Sequence, residues 1–257
     1  MWGIIPAAGN GTRIQPLAFS KELLPVGSRI DPTGIERPRA VSEYLVDRMA
    51  RGGVCKLCFV ISAAKHDIVQ YYGGSYGAMD IAYVVQDEAN GLCDAVFRAA
   101  PLIPSEGVVA IGLPDTVWFP EDALQSLPSS ELSLLLFPVE NPTLFDSVEM
   151  DADLRVRRIA VKSADPPSGW VWGAMQMPAR TYHALRALWS ARDRTDEYLG
   201  TLFNAWIARG GIIRGVTAGT SYVDVGTLHG YRRAMHLLEA AVPARADAPG
   251  PGVELPA

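Results

Sequence analysis

The residues of this chain best suited to chemistry begin at its amino end. The segment Trp2–Gly27 opens with an apolar run, Trp2–Ile5, and breaks into the small-residue loop Ala7-Ala8-Gly9-Asn10-Gly11-Thr12-Arg13. Lys21 follows, in a stretch closed by Leu24-Pro25-Val26. A buried strand feeding a glycine-rich loop is a recurring way to hold phosphate. Glycines let backbone N–H groups approach the ligand, and Arg and Lys add charge. The loop lacks the Gly-Lys-Ser/Thr ending of a Walker A motif and the Gly-x-Gly-x-x-Gly of a dinucleotide fold. On its glycines alone it reads equally well as an ordinary turn.

Two carboxylates add to the pattern. Asp115 stands just past the apolar run Val108–Gly112, in Leu113-Pro114-Asp115. Asp224 lies in Tyr222-Val223-Asp224-Val225-Gly226-Thr227. Each alone reads as a cap or turn residue, and Asp224 precedes Thr227, a candidate helix N-cap. Both beside a phosphate loop suit Mg²⁺, a hard ion usually held by one or two carboxylates plus substrate phosphates. Asp151-Ala152-Asp153 is a third acidic pattern. Asp-x-Asp is a metal motif of glycosyltransferases, but here it falls at the expected turn of a hairpin over 143–162, where Asp is favoured for local hydrogen bonding.

These residues need elements to position them. Apolar runs alternate with helical patterns, which predicts an α/β three-layer sandwich with a mostly parallel, Rossmann-like mixed sheet. Strands are expected at Trp2–Pro6, Val54–Ser62, Met79–Gln86, Val108–Gly112, Leu132–Val139, Val171–Met177, Ile212–Val216 and Ser221–Val225. Helices are expected from near Pro38 to Gly52 and at about 65–72, 92–100, 120–127, 179–191, 196–209 and 228–241. Residues 28–37 carry turn signals and read as an exposed loop. The domain is expected to span 1–242, with a disordered Ala/Pro/Gly tail over 243–257. In such a sheet ligands bind at the carboxyl ends of the strands, where the loop, Asp115 and Asp224 should converge.

Composition narrows the classes. The chain has 257 residues, 49% hydrophobic and 20% charged, with net charge −5 and no basic block that would carry nucleic-acid binding. No apolar run approaches a membrane span, and no basic region precedes the first apolar residues, so a cytoplasmic protein is expected. Three cysteines do not make a disulfide framework. Cys55 and Cys58 lie at odd spacing on an expected strand, which points them to opposite faces and argues against a zinc or redox pair.

The longer pattern is more specific. Gly9-Asn10-Gly11-Thr12-Arg13, then Pro16, then Ser20-Lys21-Glu22-Leu23-Leu24-Pro25-Val26 resembles the signature of the sugar-phosphate nucleotidyltransferases, in particular their glucose-1-phosphate thymidylyltransferase type. The likeness runs from about residue 3 to about 241 and implies the nucleotide-diphospho-sugar transferase fold. It implies that Ala8, Gly9, Gly11 and Thr12 bind the nucleotide and that Arg13 and Lys21 are catalytic. Gln86 with Asn90-Gly91-Leu92 resembles the segment that holds the base, and Asp115 and Asp224 the Mg²⁺ carboxylates. Lys162 and Gly173 fall where the family contacts the sugar phosphate. Three residues depart from the pattern. Pro114 replaces the glycine before the metal Asp, Val161 replaces the sugar-contacting Glu before Lys162, and Ser163 replaces the Pro after it. The implied reaction joins a nucleoside monophosphate from an NTP, dTTP or UTP with CTP left open, to a sugar 1-phosphate. The implied cofactor is Mg²⁺, and homo-oligomerisation is left open. A non-catalytic binder of nucleotide or sugar phosphate, favoured by Val161, and a glycosyltransferase using Asp151 and Asp153 remain alternatives.

Overall fold

The computed structural model describes residues 1–241; the tail expected from Pro243 onward lies outside them. Its nucleus is four parallel strands built from short apolar runs: β1 (Trp2–Pro6), β4 (Lys56–Ile61), β6 (Met79–Val85) and β7 (Val108–Gly112). Their order is β6-β4-β1-β7, and β1 pairs in parallel with both β4 and β7. Runs of this kind are buried on both faces, as parallel strands must be. Ile4 and Ile5 show the consequence: successive side chains enter different cores, and both are fully buried.

The sheet continues past β7 through antiparallel pairings of β9 (Leu132–Pro138), β10 (Ser147–Met150), β11 (Val156–Ala160) and β12 (Trp170–Pro178), with β13 (Ile213–Val216) parallel to β9, and β5 (Ser75–Tyr76) closes the opposite edge. β12 pairs antiparallel with β7 on one side and β9 on the other, and its register shifts around Gly173. One layer holds α3 (Gly91–Arg98), α4 (Ala179–Ser190) and α5 (Leu199–Ala208), with Phe97, Tyr182 and Phe203 in its core. The other holds α1 (Val41–Arg51) and α2 (His66–Tyr72), packed through Leu45, Met49, Ile68 and Tyr72. The α/β sandwich and mixed, mostly parallel sheet are as the sequence predicts.

Two antiparallel ribbons lie outside this sheet. β2 (Pro25–Ile30) pairs with β3 (Glu36–Ala40), so residues expected to form a plain loop form a hairpin. Pro38 lies within β3, and α1 starts at Val41 rather than near Pro38. β8 (Thr116–Phe119) pairs with β14 (Ser221–Asp224). The helix expected over 120–127 is only a short 3-10 turn, Ala123–Ser126, following β8. α6 (Leu228–Ala241) packs Ala234 and Leu238 on Val26, Val117 and Val223, tying the two ribbons into a third core. Thr227 caps α6 as expected, accepting the Gly230 N–H at 3.0 Å. Among the described residues no helix is long and apolar enough to cross a membrane.

Candidate active site

Parallel strands deliver their following loops to one edge. The glycine-rich loop leaves β1 there, Lys65 follows β4, Gln86 follows β6 and Asp115 follows β7. Asp224 arrives from the other end of the chain because β14 registers Asp224 against Thr116 on β8. Val225 N–H also donates to the Asp115 carbonyl at 2.8 Å. Arg48 anchors this ribbon to α1. Its buried guanidinium donates to the Trp118 carbonyl and, at 2.7 Å, to the Tyr44 carbonyl.

Four charged side chains meet at this edge. Lys21 Nζ donates to Asp115 Oδ2 at 2.5 Å, and Arg13 pairs with Asp224 Oδ2 at 3.2 Å. Gly226 lies between the carboxylates. A Cβ there would sit 2.8 Å from Asp224 Oδ1, 3.1 Å from the Arg13 guanidinium and 3.3 Å from Asp115 Oδ2. The space both carboxylates face therefore exists only because residue 226 has no side chain. Burial opposes ionisation of Asp115, but the Lys21 ammonium outweighs it and holds the carboxyl below its usual range. Asp224 shifts the other way: burial and then the neighbouring Asp115 charge raise it. Two carboxylates at one point repel, and a cation between them relieves the repulsion. Among the described residues no group of three or more His, Cys, Asp and Glu side chains could hold a metal ion by itself.

The loop's conformation is set at Gly11. Its φ is +64°, and a Cβ there would meet Lys21 Cδ at 2.9 Å, so Gly11 lets the lysine lie against the loop. At Gly9 a Cβ would meet nothing within 4 Å, which leaves that side of the loop open for a ligand. Thr12 and Arg13 are exposed, with 61% of the Arg13 side chain accessible.

The Lys21 segment is held by two interactions that local sequence did not reveal. Lys65 Nζ donates to both oxygens of Glu22, at 2.7 and 2.8 Å, and to the Ala7 carbonyl at 2.6 Å. The buried ammonium thus ties the start of the glycine-rich loop to the residue after Lys21. Asp67, in the first turn of α2, accepts the Ser20 N–H and hydroxyl, both at 2.6 Å.

A cleft of about 340 Å³ opens beside this centre, lined by Ala8, Gly9, Lys21, Gln86, Gly91 and Asp115 among others. Gln86 is buried, and its amide nitrogen donates to Asp94 Oδ2 at 2.7 Å and the Gly91 carbonyl at 3.3 Å. Gly91 has φ +92°, and a Cβ there would lie 2.8 Å from the Glu197 carbonyl oxygen. That carbonyl accepts the Leu92 N–H at 2.8 Å and fixes the start of α3.

Lys162 and Gly173 lie apart from the charged centre. Lys162, at φ +45° just after β11, donates to the Tyr198 hydroxyl at 2.6 Å, its ammonium 4.0 Å from the ring centroid. Gly173 makes room: a Cβ there would meet the Tyr222 ring at 2.5 Å and Phe137 at 2.7 Å. Tyr222 links the two ends of the site. Burial first, then the charges of Asp224, Asp115 and Asp146, raises its phenol far above its usual range. Asp151 belongs to a turn. It accepts the Asp153 and Arg155 N–H groups, each at 2.9 Å, and pairs with Arg157. Cys55 and Cys58 form no disulfide: Cys55 is exposed just before β4, which starts at Lys56 rather than at Val54, and Cys58 is buried within the strand.

A glycine-rich loop beside a carboxylate pair at the carboxyl edge of a mixed sheet is an arrangement that suits nucleotide handling in an α/β enzyme. The chain belongs to the nucleotidyl transferase family, whose model matches residues 2–241. A glucose-1-phosphate thymidylyltransferase of Mycolicibacterium smegmatis is 25% identical over 236 residues, 88% of this chain and 78% of the relative. The fold matches a Bacillus anthracis crystal structure assigned as a glucose-1-phosphate thymidylyltransferase. Its TM-score is 0.76 at 21% identity, over 95% of this chain and 97% of that one. A UDP-glucose pyrophosphorylase from Acinetobacter baumanii matches with TM-score 0.76 at 18% identity, over 94% of each chain.

Proposed function

We propose that this chain joins a nucleoside monophosphate, taken from dTTP or UTP, to a sugar 1-phosphate and releases pyrophosphate, with Mg²⁺ as cofactor. The observation that carries the reading is the meeting of Lys21, Arg13, Asp115 and Asp224 around Gly226 beside the glycine-rich loop. The thymidylyltransferase and UDP-glucose pyrophosphorylase among the similar proteins support the substrate class.

The attacking sugar-phosphate oxygen is already an anion, so the residues need not supply a base; they position and neutralise charge. Backbone N–H groups of Ala8, Gly9 and Gly11 cradle the triphosphate together with Thr12 and the exposed Arg13. Lys21, held beside Asp115, neutralises charge that builds on the α-phosphate. Asp115 and Asp224 would hold Mg²⁺, which when bound would supply positive charge to offset that of the phosphates. Lys162, restrained by Tyr198, orients the acceptor phosphate, while Gly173 acts through the room it gives Tyr222. Gln86 and Gly91 meet the base. The Gln86 amide nitrogen is occupied by two acceptors, which leaves its carbonyl oxygen to accept. An acceptor suits the N3–H of thymine or uracil and not the bare N3 of cytosine.

A thermal-shift series of dTTP, UTP, CTP and ATP, each with and without Mg²⁺, tests the reading. A ligand at 100 times its Kd stabilises the native state by roughly 2.7 kcal/mol. The expected result is a rise in Tm of several degrees with dTTP or UTP that requires Mg²⁺. No shift with any nucleotide overturns it.

A further inference from the structure

Val161 leaves the acceptor end of the site without a carboxylate at that position, and the fold brings another to the same place. Asp146 lies just before β10, and its Oδ1 accepts the Lys162 N–H at 3.2 Å. The point a Cβ on Gly200 would occupy lies 2.6 Å from Val161 Cγ2 and 3.3 Å from Asp146 Oδ2. The Val161 methyl and the Asp146 carboxylate thus reach α5 side by side. Among the described residues no hydrogen bond reaches Asp146 Oδ2. Trp172 on β12 leans toward this carboxylate but stays outside hydrogen-bond geometry. Its Nε1 is buried with no partner, and only 7% of the residue is exposed. Phe145, next to Asp146, packs edge-on against Tyr222 with centroids 5.6 Å apart, and the charges of Asp146, Asp115 and Asp224 all act on the Tyr222 phenol.

An acceptor and a buried donor left idle side by side are uncommon, because buried polar groups nearly always find partners. One hydroxyl satisfies both, donating to the carboxylate and accepting from the indole. We propose that Asp146 and Trp172 are specificity residues that together recognise one hydroxyl of the phosphorylated sugar acceptor. The proposal rests on the sugar 1-phosphate transfer reaction. In it Asp146, entering from just before β10, supplies the hydrogen-bond acceptor that a valine at 161 cannot.

The test is pyrophosphate release with one NTP, Mg²⁺, and a panel of sugar 1-phosphates that includes the deoxy analogue at each ring position. Asp146→Asn keeps an acceptor for the Lys162 N–H while replacing the charged acceptor, and Trp172→Phe removes only the indole donor. The wild type is expected to prefer one hydroxylated sugar over its deoxy analogue. Both variants are expected to lose that preference. In Asp146→Asn, kcat/KM for the sugar falls about 10–100-fold, as for a charged hydrogen bond, with KM for the NTP unchanged. A merely structural role would move both KM values together. Variants that keep the wild-type preference and sugar KM overturn the assignment of Asp146 and Trp172 while leaving the reaction intact. A wild type that releases no pyrophosphate with any acceptor overturns the reaction and this assignment together.

Discussion

Lys65→Met is the most informative single change outside the charged centre. Glu22 is 1% exposed and Lys65 9% exposed, and the ammonium fills three acceptor positions within 2.8 Å. Removing one partner of such a buried pair leaves an uncompensated charge and costs about 3–5 kcal/mol. For a chain of this size each kcal/mol moves Tm by about 2–4 °C, so the variant should melt roughly 6–20 °C lower. Replacing both partners, Lys65→Met with Glu22→Leu, removes the stranded carboxylate and should recover at least half of that loss. Activity separates the two effects. The double variant still lacks the link between the Ala7 carbonyl and the Lys21 segment, and loosening a catalytic group by about 1 Å costs on the order of 10²-fold in rate. The assays are urea denaturation and pyrophosphate release on both variants. A loss below 1 kcal/mol in Lys65→Met, or a double variant with wild-type rate, would refute the stapling role of this pair.

Other expectations follow from the same geometry. Gly226→Ala should abolish turnover and also lower stability, because the added methyl enters the space between Asp115 and Asp224 only 2.8 Å from Asp224 Oδ1; steady-state kinetics beside a urea melt checks it. Gly91→Ala places a β-carbon at φ +92° and 2.8 Å from the Glu197 carbonyl, so NTP affinity and Tm should both fall; titration calorimetry and a thermal melt read them. Burial opposes ionisation of Asp67, but the Ser20 hydroxyl and N–H outweigh it and hold the carboxyl below its ordinary 3.8. Its contribution is therefore full above pH 3.8 and fades as pH falls through the lowered value. Asp67→Asn should cost about 1.5 kcal/mol at pH 7, and the gap to wild type should shrink in urea melts taken at progressively lower pH.

The local part of this site was legible in the sequence, and the long-range part was not. The β1 strand, the loop and Lys21 lie within one short segment, so residue type and spacing suffice. The approach of Asp115 to Asp224 depends on the β8–β14 register. β8 is four residues between Asp115 and Pro120, too short to show a period, and no element is expected there, the predicted helix covering only 120–127. β2 and β3 escaped for another reason: they are exposed along most of their length, so no apolar alternation marks them. Glu22 and Lys65 stand 43 residues apart and look like ordinary surface charges until α2 follows β4 to the same edge. Asp146 and Trp172 meet across separate strands, and the sequence showed only the gap they border, at Val161. The turn reading of Asp151 followed from local preference and agrees with its hydrogen bonds.

The central claim is that Lys21, beside Asp115 and the glycine-rich loop, neutralises charge during nucleotidyl transfer. Its most direct test is steady-state pyrophosphate release from dTTP and UTP with a panel of sugar 1-phosphates in Mg²⁺, comparing wild type with Lys21→Ala. The account predicts turnover by the wild type and a fall in kcat of about 10²–10³-fold in the variant, the usual cost of one charge-stabilising group in a closed site. Equal rates for the two proteins would contradict it.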